Sequence, residues 1–411
     1  MGNRARLVAG AVLAAACFSA ATPSALQPVL SEIDARVRAE FWDPKLKGVD
    51  WGAAVTRAGG ELSQAKTEAE RDSVYDRLLA ALRDSHTFRI PASRLPPAEF
   101  ASPGLRIGRE GDGWAVKGVL PGSPAEKEGM TLGARVLAID GRPYGATPTD
   151  LRGLFLDLQG RPGTSVAVKW VHSGASSPRV SNLTRVSEPP GDAQVWGGAR
   201  ILRKDGHAFG YIRLWGTSTE TTLMVVDLLA DRVEIARRRP DLAGWDAIEG
   251  VLLDLRGNVG GYDSGILTTL FSGGWTAGSF VEIERGVRRV LPARYVPLPA
   301  AVLVNSGTAS AGELFAAKFR AAGLGPVVGE TTAGMGSGGA SITSLPDGSQ
   351  LWITRRAFED LSGRSYEGKG LVPDVAVADR PAAESGREQP VVEAALAALE
   401  AKRKAGAPPL R

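Results

Sequence analysis

Two segments of this sequence combine residue types and spacings suited to nucleophilic chemistry. In the first, Val302-Leu-Val304 leads into Asn305-Ser-Gly-Thr-Ala-Ser-Ala-Gly-Glu313, and a helical run from Leu314 to Phe319 follows. This order predicts Ser310 near a helix N-terminus, where free N–H groups favour developing negative charge. A serine in that place is more often a helix cap than a nucleophile. In the second, Asp254-Leu-Arg-Gly-Asn-Val-Gly-Gly261 follows a buried-strand run that begins at Gly250. Such a turn can aim backbone N–H groups into a cleft, as an oxyanion hole requires, although an ordinary tight turn has the same composition.

Two competing readings fail on context. Gly334-Met-Gly-Ser-Gly-Gly339 fits G-x-G-x-x-G, but Ser341-Ile-Thr-Ser-Leu345 and a turn come next, not the helix a dinucleotide site needs. Gly307-Thr-Ala-Ser-Ala-Gly312 is one residue longer than the G-x-S-x-G elbow of α/β-hydrolases.

The elements around these segments fall into successive units. Ile33, Val37 and Phe41 recur at spacing four, and Val74, Leu78, Leu79 and Leu82 share one face, predicting an N-terminal helical domain over 26–98. Pro91, Pro96, Pro97 and Pro103 punctuate a linker. Short strands follow over 101–180: Trp114–Leu120, Ala134–Ile139 ending at the Asp140-Gly141 turn, and Val166–Val171. A helix is expected after Pro148, through Leu151, Leu154, Phe155 and Leu158. From Gly206 onward strands and helices alternate: strand Phe209–Leu214, an amphipathic helix Thr221–Arg238, then buried strands at Gly250 and Ala300. That alternation predicts an α/β core over 185–385, with a peripheral helix Pro390–Ala405 in the tail 386–411.

Composition narrows the classes. The 411 residues are 43% hydrophobic and 23% charged, as in globular chains of two or three domains. One cysteine excludes a disulfide scaffold and cysteine-ligated metal sites, and three histidines leave little for a histidine-rich centre. The 51 glycines point to many tight turns or close backbone approaches. Arg4 and Arg6 precede an apolar run Leu7–Phe18 and small residues up to Ala21, the order of a secretory signal over 1–21 cleaved after Ala21. Its removal brings the net charge of +4 to about +2, and no basic block remains for nucleic acid. Cys17 offers a lipoprotein variant, the one route by which a membrane partner is expected. The reading is an exported protein, periplasmic or secreted.

Gly104-Leu-Arg-Ile107, Pro121-Gly-Ser-Pro-Ala125 and Gly133-Ala-Arg-Val-Leu-Ala-Ile-Asp-Gly141 resemble a PDZ domain of the bacterial protease type. The resemblance implies that the loop Gly104, Leu105, Arg106 and Ile107 offers backbone N–H groups to a peptide's terminal carboxylate. A small β-rich packing domain without a ligand is the alternative.

The ordered set of D-L-R-G-N-x-G-G, N-x-G-x-A-S-A-x-E, Val327-Val-Gly-Glu-Thr-Thr332 and Gly368-x-Gly-Leu-Val-Pro-Asp374 resembles a family of serine peptidases. These are the carboxyl-terminal processing (tail-specific) proteases and the tricorn core. The resemblance implies a crotonase/ClpP-like α/β catalytic core behind a helical lead-in and a PDZ-like unit. The carboxyl-terminal processing branch pairs its serine with a lysine, but position 335, where that lysine falls, is methionine. Met335 cannot accept a proton. The tricorn-like branch instead uses a histidine preceded by a serine, and a glutamate near the G-x-G-x-x-P-D turn. Those places are held here by Leu82-Arg-Asp-Ser-His-Thr87 and Tyr366-Glu-Gly-Lys-Gly370.

By that match Ser310 is the nucleophile, His86 the base, and Ser85 and Glu367 orient or polarise the imidazole. Histidine suits the task because its pKa lies near the working pH. Gly260 or Gly261, with Ala311, would hold the oxyanion. Lys318 and Lys369 are rival proton acceptors outside the family's lysine position, Asp84 is a rival orienting acid, and His172 and His207 are expected to be structural. The expected chemistry is peptide hydrolysis through an acyl-enzyme, with no metal or organic cofactor and with a peptide or protein substrate, taken in one version by its C-terminus. The alternative is a non-catalytic binder of peptides or hydrophobic ligands on the same scaffold.

Overall fold

A computed structural model describes residues 23–95, 101–143, 156–187, 198–262, 298–359, 363–381 and 389–404, with short stretches between 195 and 296. The leader over 1–21 with Cys17, and Leu151, Leu154 and Phe155 of the expected helix, lie outside the described residues.

The N-terminal unit is helical: α1 (Pro23–Glu40), α2 (Trp51–Gln64) and α3 (Glu68–Ala80). Asp50 accepts the Ala53 N–H at the start of α2. At α3, Thr67 and Glu70 form a reciprocal capping box that satisfies two otherwise orphaned donors. The apolar faces meet around Ile33, Val37, Trp51, Tyr75 and Leu79, but this core also takes in Leu345, Leu351 and Ile353 from far along the chain. The reason is a shared sheet. Strand β1 (Phe88–Ile90), just past α3, belongs to it.

A β-rich unit follows, with β2 (Leu105–Glu110), β3 (Gly113–Val119), β4 (Arg135–Ile139), β5 (Ser165–Val171) and β6 (Arg179–Thr184) hydrogen-bonded in that order. Its core holds Leu105, Ile107, Trp114, Val136 and Trp170. The strands therefore continue a few residues past the expected boundary at 180.

The largest unit begins with β7 (Arg200–Lys204) and β8 (His207–Arg213), continues through α4 (Thr219–Ala230) and α5 (Arg232–Arg238), and then β9 (Val251–Asp254). The single helix expected over 221–238 is two, because Asp231 leaves helical geometry at φ −106°, ψ 36°. Next come β10 (Ala300–Val304), α6 (Ala311–Ala321), β11 (Val327–Gly329), β12 (Ser341–Ser344), β13 (Gln350–Ile353), β14 (Val375–Ala376) and α7 (Pro390–Lys404). The central sheet runs β7-β8-β9-β10-β11-β14, parallel except for the β7–β8 pair. Strands buried on both faces read as unbroken apolar runs, as β9 and β10 do. Val251, Leu253, Val302 and Val304 point to the face covered by α4 and α6. Leu252, Ala301 and Leu303 point to the other, where Val391, Val392, Ala395, Leu396 and Leu399 of α7 pack. The C-terminal helix is thus not peripheral: without it one face of the sheet would be bare.

Strand β13 pairs with β12 on one side and with β1 on the other, in the register Phe88↔Trp352, Arg89↔Leu351, Ile90↔Gln350. Arg89, buried, clamps the junction by donating to Asp72 and Asp347 at 2.6 Å each and to Ser349 Oγ at 2.8 Å. This pairing carries the chain around residue 86 to the C-terminal ends of the parallel strands, the edge at which open α/β sheets bind ligands.

Candidate active site

The buried strand β10 delivers a turn that is fixed before it reaches Ser310. The Asn305 N–H donates to Thr308 Oγ1 at 3.0 Å, and that hydroxyl donates to the Leu255 carbonyl at 2.8 Å, tying the turn to the end of β9. Ser310 adopts φ 53°, ψ −122°, strained for a residue with a Cβ, immediately before α6. Its N–H donates to the Glu313 carboxylate at 3.0 Å. Glu313 is 1% exposed and also accepts from Thr332 Oγ1 at 2.5 Å, Gly334 N–H at 2.8 Å and Met335 N–H at 2.7 Å. Burial pushes the Glu313 carboxyl up to about 7, while these four donors oppose the shift. In sequence Glu313 is only the last letter of the N-x-G-x-A-S-A-x-E motif. In the fold it staples the strained serine to the 332–335 loop.

His86 comes from the other end of the chain. After α3, Arg83 turns the backbone at φ 49°, and Asp84-Ser85-His86 leads into β1. His86 Nε2 lies 3.1 Å from Ser310 Oγ, and Nδ1 lies 2.9 Å from Ser85 Oγ. Ser85 Oγ donates to Glu367 at 2.9 Å, and the Ser85 N–H donates to the other oxygen at 2.6 Å. Glu367 is held in its turn by the Ser337 N–H at 2.8 Å, and the turn is closed by Gly370 N–H donating to the Tyr366 carbonyl at 2.8 Å. Burial, and then the charge of Asp84, raise the Glu367 carboxyl above its ordinary value. Ser310, His86, Ser85 and Glu367 thus stand in one line of contacts. Ser337 carries no local signal beyond lying in the glycine segment 334–339, yet its hydroxyl sits 3.3 Å from His86 Nδ1.

The glycine turn at 257–261 packs directly on the serine. A Cβ added to Gly260 would lie 2.6 Å from Ser310 Cβ. The Gly260 N–H is already used, donating to Asn258 Oδ1 at 2.8 Å, while Asn258 Nδ2 donates to the Leu214 carbonyl at 2.8 Å. Among the described residues the amides of Gly261 and Ala311 make no hydrogen bond. Of the three candidate oxyanion donors, these two are therefore open.

The Asp254 and Arg256 side chains serve the frame. Both are fully buried; Arg256 donates to Asp254 at 2.6 Å and to Asp379 at 2.7 Å, and Asn305 Nδ2 donates to Asp379 at 2.6 Å. Lys318 and Lys369, the rival bases, are exposed residues. His207 lies 2.9 Å from Glu249, and His172 packs edge-on to Trp170.

The Gly104–Ile107 segment is buried. Leu105 and Ile107 point into the core of the β-rich unit, and Arg106 packs against Gly257. The Gly104 N–H donates to Ser102 Oγ at 3.0 Å. β2 is the edge strand of its sheet, and its Arg109 carbonyl accepts from Ser306 Oγ of the α/β unit at 2.5 Å.

Residues 208–377 match peptidase family S41. The matched segment lies within the α/β unit. The chain is similar to tricorn protease homolog 1 of Streptomyces coelicolor, 27% identical over 389 residues, covering 89% of this chain and 34% of that protein. It is also similar to carboxy-terminal processing protease CtpB of Bacillus subtilis, 26% identical over 287 residues, covering 68% of this chain and 56% of that protein. The chain therefore spans between about a third and about half of these curated relatives. The fold matches the structure of a photosystem II D1 C-terminal processing protease, with a TM-score of 0.60, 24% identity, and coverage of 86% of this chain and 93% of that one. The matched segment runs from β8 to β14 and so includes Ser310 and Glu367, whereas Ser85 and His86 come from the helical unit outside it.

Proposed function

We propose that this protein is an exported serine endopeptidase that hydrolyses peptide bonds through an acyl-enzyme on Ser310. The observation that carries the reading is the contact between His86 Nε2 and Ser310 Oγ at 3.1 Å, continued by Ser85 to Glu367. With its proton on Nδ1, donated to Ser85 Oγ, the imidazole presents the Nε2 lone pair to the serine, and the Ser85 hydroxyl in turn donates a hydrogen bond to Glu367. Ser310 Oγ attacks the carbonyl carbon as its proton moves to Nε2. The oxyanion is met by the Gly261 and Ala311 amides, backed by the N-terminus of α6. The C–N bond then breaks as the imidazolium protonates the leaving amine, and water, deprotonated by His86, releases the acyl group. Export rests on the leader over 1–21, and among the described residues no helix is long and apolar enough to cross a membrane.

The β-rich unit is read as a PDZ-like domain that takes the C-terminus of a peptide on β2. Because Ser102 Oγ already accepts the Gly104 N–H, a carboxylate bound there would have to displace that hydroxyl.

The test is incubation of the mature protein with an unbiased peptide library and mass spectrometry of the products, with Ser310→Ala as control and a fluorophosphonate probe in parallel. Cleavage and labelling that both vanish in Ser310→Ala are expected. A folded wild-type protein that cleaves nothing and stays unlabelled overturns the reading in favour of a binding protein.

A further inference from the structure

We propose that His86 is supported by a second hydroxyl–carboxylate arm, Ser337 to Asp84, parallel to the arm through Ser85 and Glu367. The inference rests on His86 being the base. Three contacts define the arm. Ser337 Oγ lies 3.3 Å from His86 Nδ1, it donates to Asp84 Oδ1 at 3.4 Å, and it touches Ser85 Oγ at 3.2 Å. The Nδ1–H can therefore be shared between two hydroxyls, each backed by its own carboxylate. The second arm is longer and so weaker per bond than the first, at 2.9 Å for both of its links.

Asp84 is built to stay in place. Its Oδ1 also accepts the His86 N–H at 3.1 Å and the Thr354 hydroxyl, so it is tied to the backbone it serves and to the end of β13. Its Oδ2 is buried with no hydrogen-bond partner among the described residues. A buried carboxylate oxygen without a donor is costly unless a positive charge arrives. Among the described residues neither Asp84 nor Glu367 forms an ion pair. The charge that would compensate both is the imidazolium formed during catalysis. Among the described residues, the titratable groups hydrogen-bonded around this site are Asp84 from the turn after α3, Glu367 from the turn before β14, and Glu313 behind Ser310 on α6. The Lys47 ammonium lies one residue further out, on the Arg83 carbonyl at 2.5 Å. Asp84 and Ser337 are positioning residues: neither needs to touch substrate.

The experiment compares kcat, KM and the pH profile of kcat/KM for the full chain, Ser337→Ala, Ser85→Ala, the double variant, Asp84→Asn and His86→Ala. Each single serine variant is expected to lose about tenfold in kcat with KM unchanged, and the double variant to lose more than the product of the two, because each arm covers for the other. Removing the Asp84 charge makes the imidazolium less favourable, so the acid limb of the Asp84→Asn profile is expected about half a unit to one unit lower in pH. Wild-type kcat and an unmoved limb in both Ser337→Ala and Asp84→Asn overturn the proposal, as does an additive double variant with an unmoved limb. If Asp84→Asn does not fold, the serine pair decides by the same criterion. Turnover that survives His86→Ala instead overturns the assignment of the base itself, a different failure.

Discussion

The Ser85 hydroxyl donates to the Glu367 carboxylate at 2.9 Å, a bond between positions 282 residues apart in sequence. It joins the helical unit to the α/β unit at the point where His86 faces Ser310. In the proposed mechanism the Glu367 carboxylate therefore acts through an intervening hydroxyl, so its charge sits one bond further from the ring than in a direct carboxylate–imidazole contact. Removal of that charge is expected to impair catalysis without abolishing it. Glu367→Gln should lower kcat by about 10²-fold, while His86→Ala and Ser310→Ala should each remove turnover almost entirely. Circular dichroism of each variant, beside its steady-state kinetics, checks that the loss is chemical.

Glu313 makes stability depend on pH in the direction opposite to most carboxylates. Its folded-state pKa, near 7, lies above that of an unfolded glutamate, so the folded state binds the extra proton between about 4.5 and 7. Wild-type stability should thus fall as pH rises through that window, by up to a few kcal/mol, and level off above it. Glu313→Gln should flatten this slope. It should also slow fluorophosphonate labelling of Ser310 at every pH, because an amide cannot accept all three N–H groups that the carboxylate accepts. Urea midpoints at pH 5 and pH 8, with labelling rates at both, test the pair of effects.

Gly260 leaves no room beside the serine. A Cβ there would meet Ser310 Cβ at 2.6 Å and the Ala309 carbonyl at 3.0 Å, and its φ of 90° strains any residue with a side chain. Gly260→Ala is expected to cost at least 10²-fold in kcat/KM through displaced nucleophile geometry, with a stability loss of about 1–3 kcal/mol. Kinetics and thermal denaturation of that one variant supply both numbers.

The buried network of Asp254, Arg256 and Asp379 is expected to make stability depend on acid pH. The guanidinium groups of Arg213 and Arg256 hold the Asp254 carboxyl well below the usual range despite its burial. A depressed folded-state pKa contributes stability that is present above the unfolded value near 4 and lost as pH falls below it. Arg256→Ala would strand two buried carboxylates, and a loss of about 3–5 kcal/mol is expected. Denaturant titrations at pH 7 and pH 3 should show the variant much weaker at the first and closer to wild type at the second.

The sequence alone determined the order of units, the buried strands at 251–254 and 300–304, and the placement of Ser310 at a helix N-terminus. These follow from local periodicity and from the motif around Ser310, both complete within a few tens of residues. That His86 and Glu367 would be brought to Ser310 was legible only through resemblance, because nothing in Asp84-Ser85-His86 or Tyr366-Glu367 marks either residue locally. The C-terminal helix was readable as a helix but not as a cover for the sheet, since its partner residues Leu252, Ala301 and Leu303 alternate with residues facing the other way. Glu313, Ser337 and the unpartnered oxygen of Asp84 appear only in three dimensions. Burial and hydrogen-bond supply set their chemistry, and both depend on β1 pairing with β13, a contact across more than half the chain.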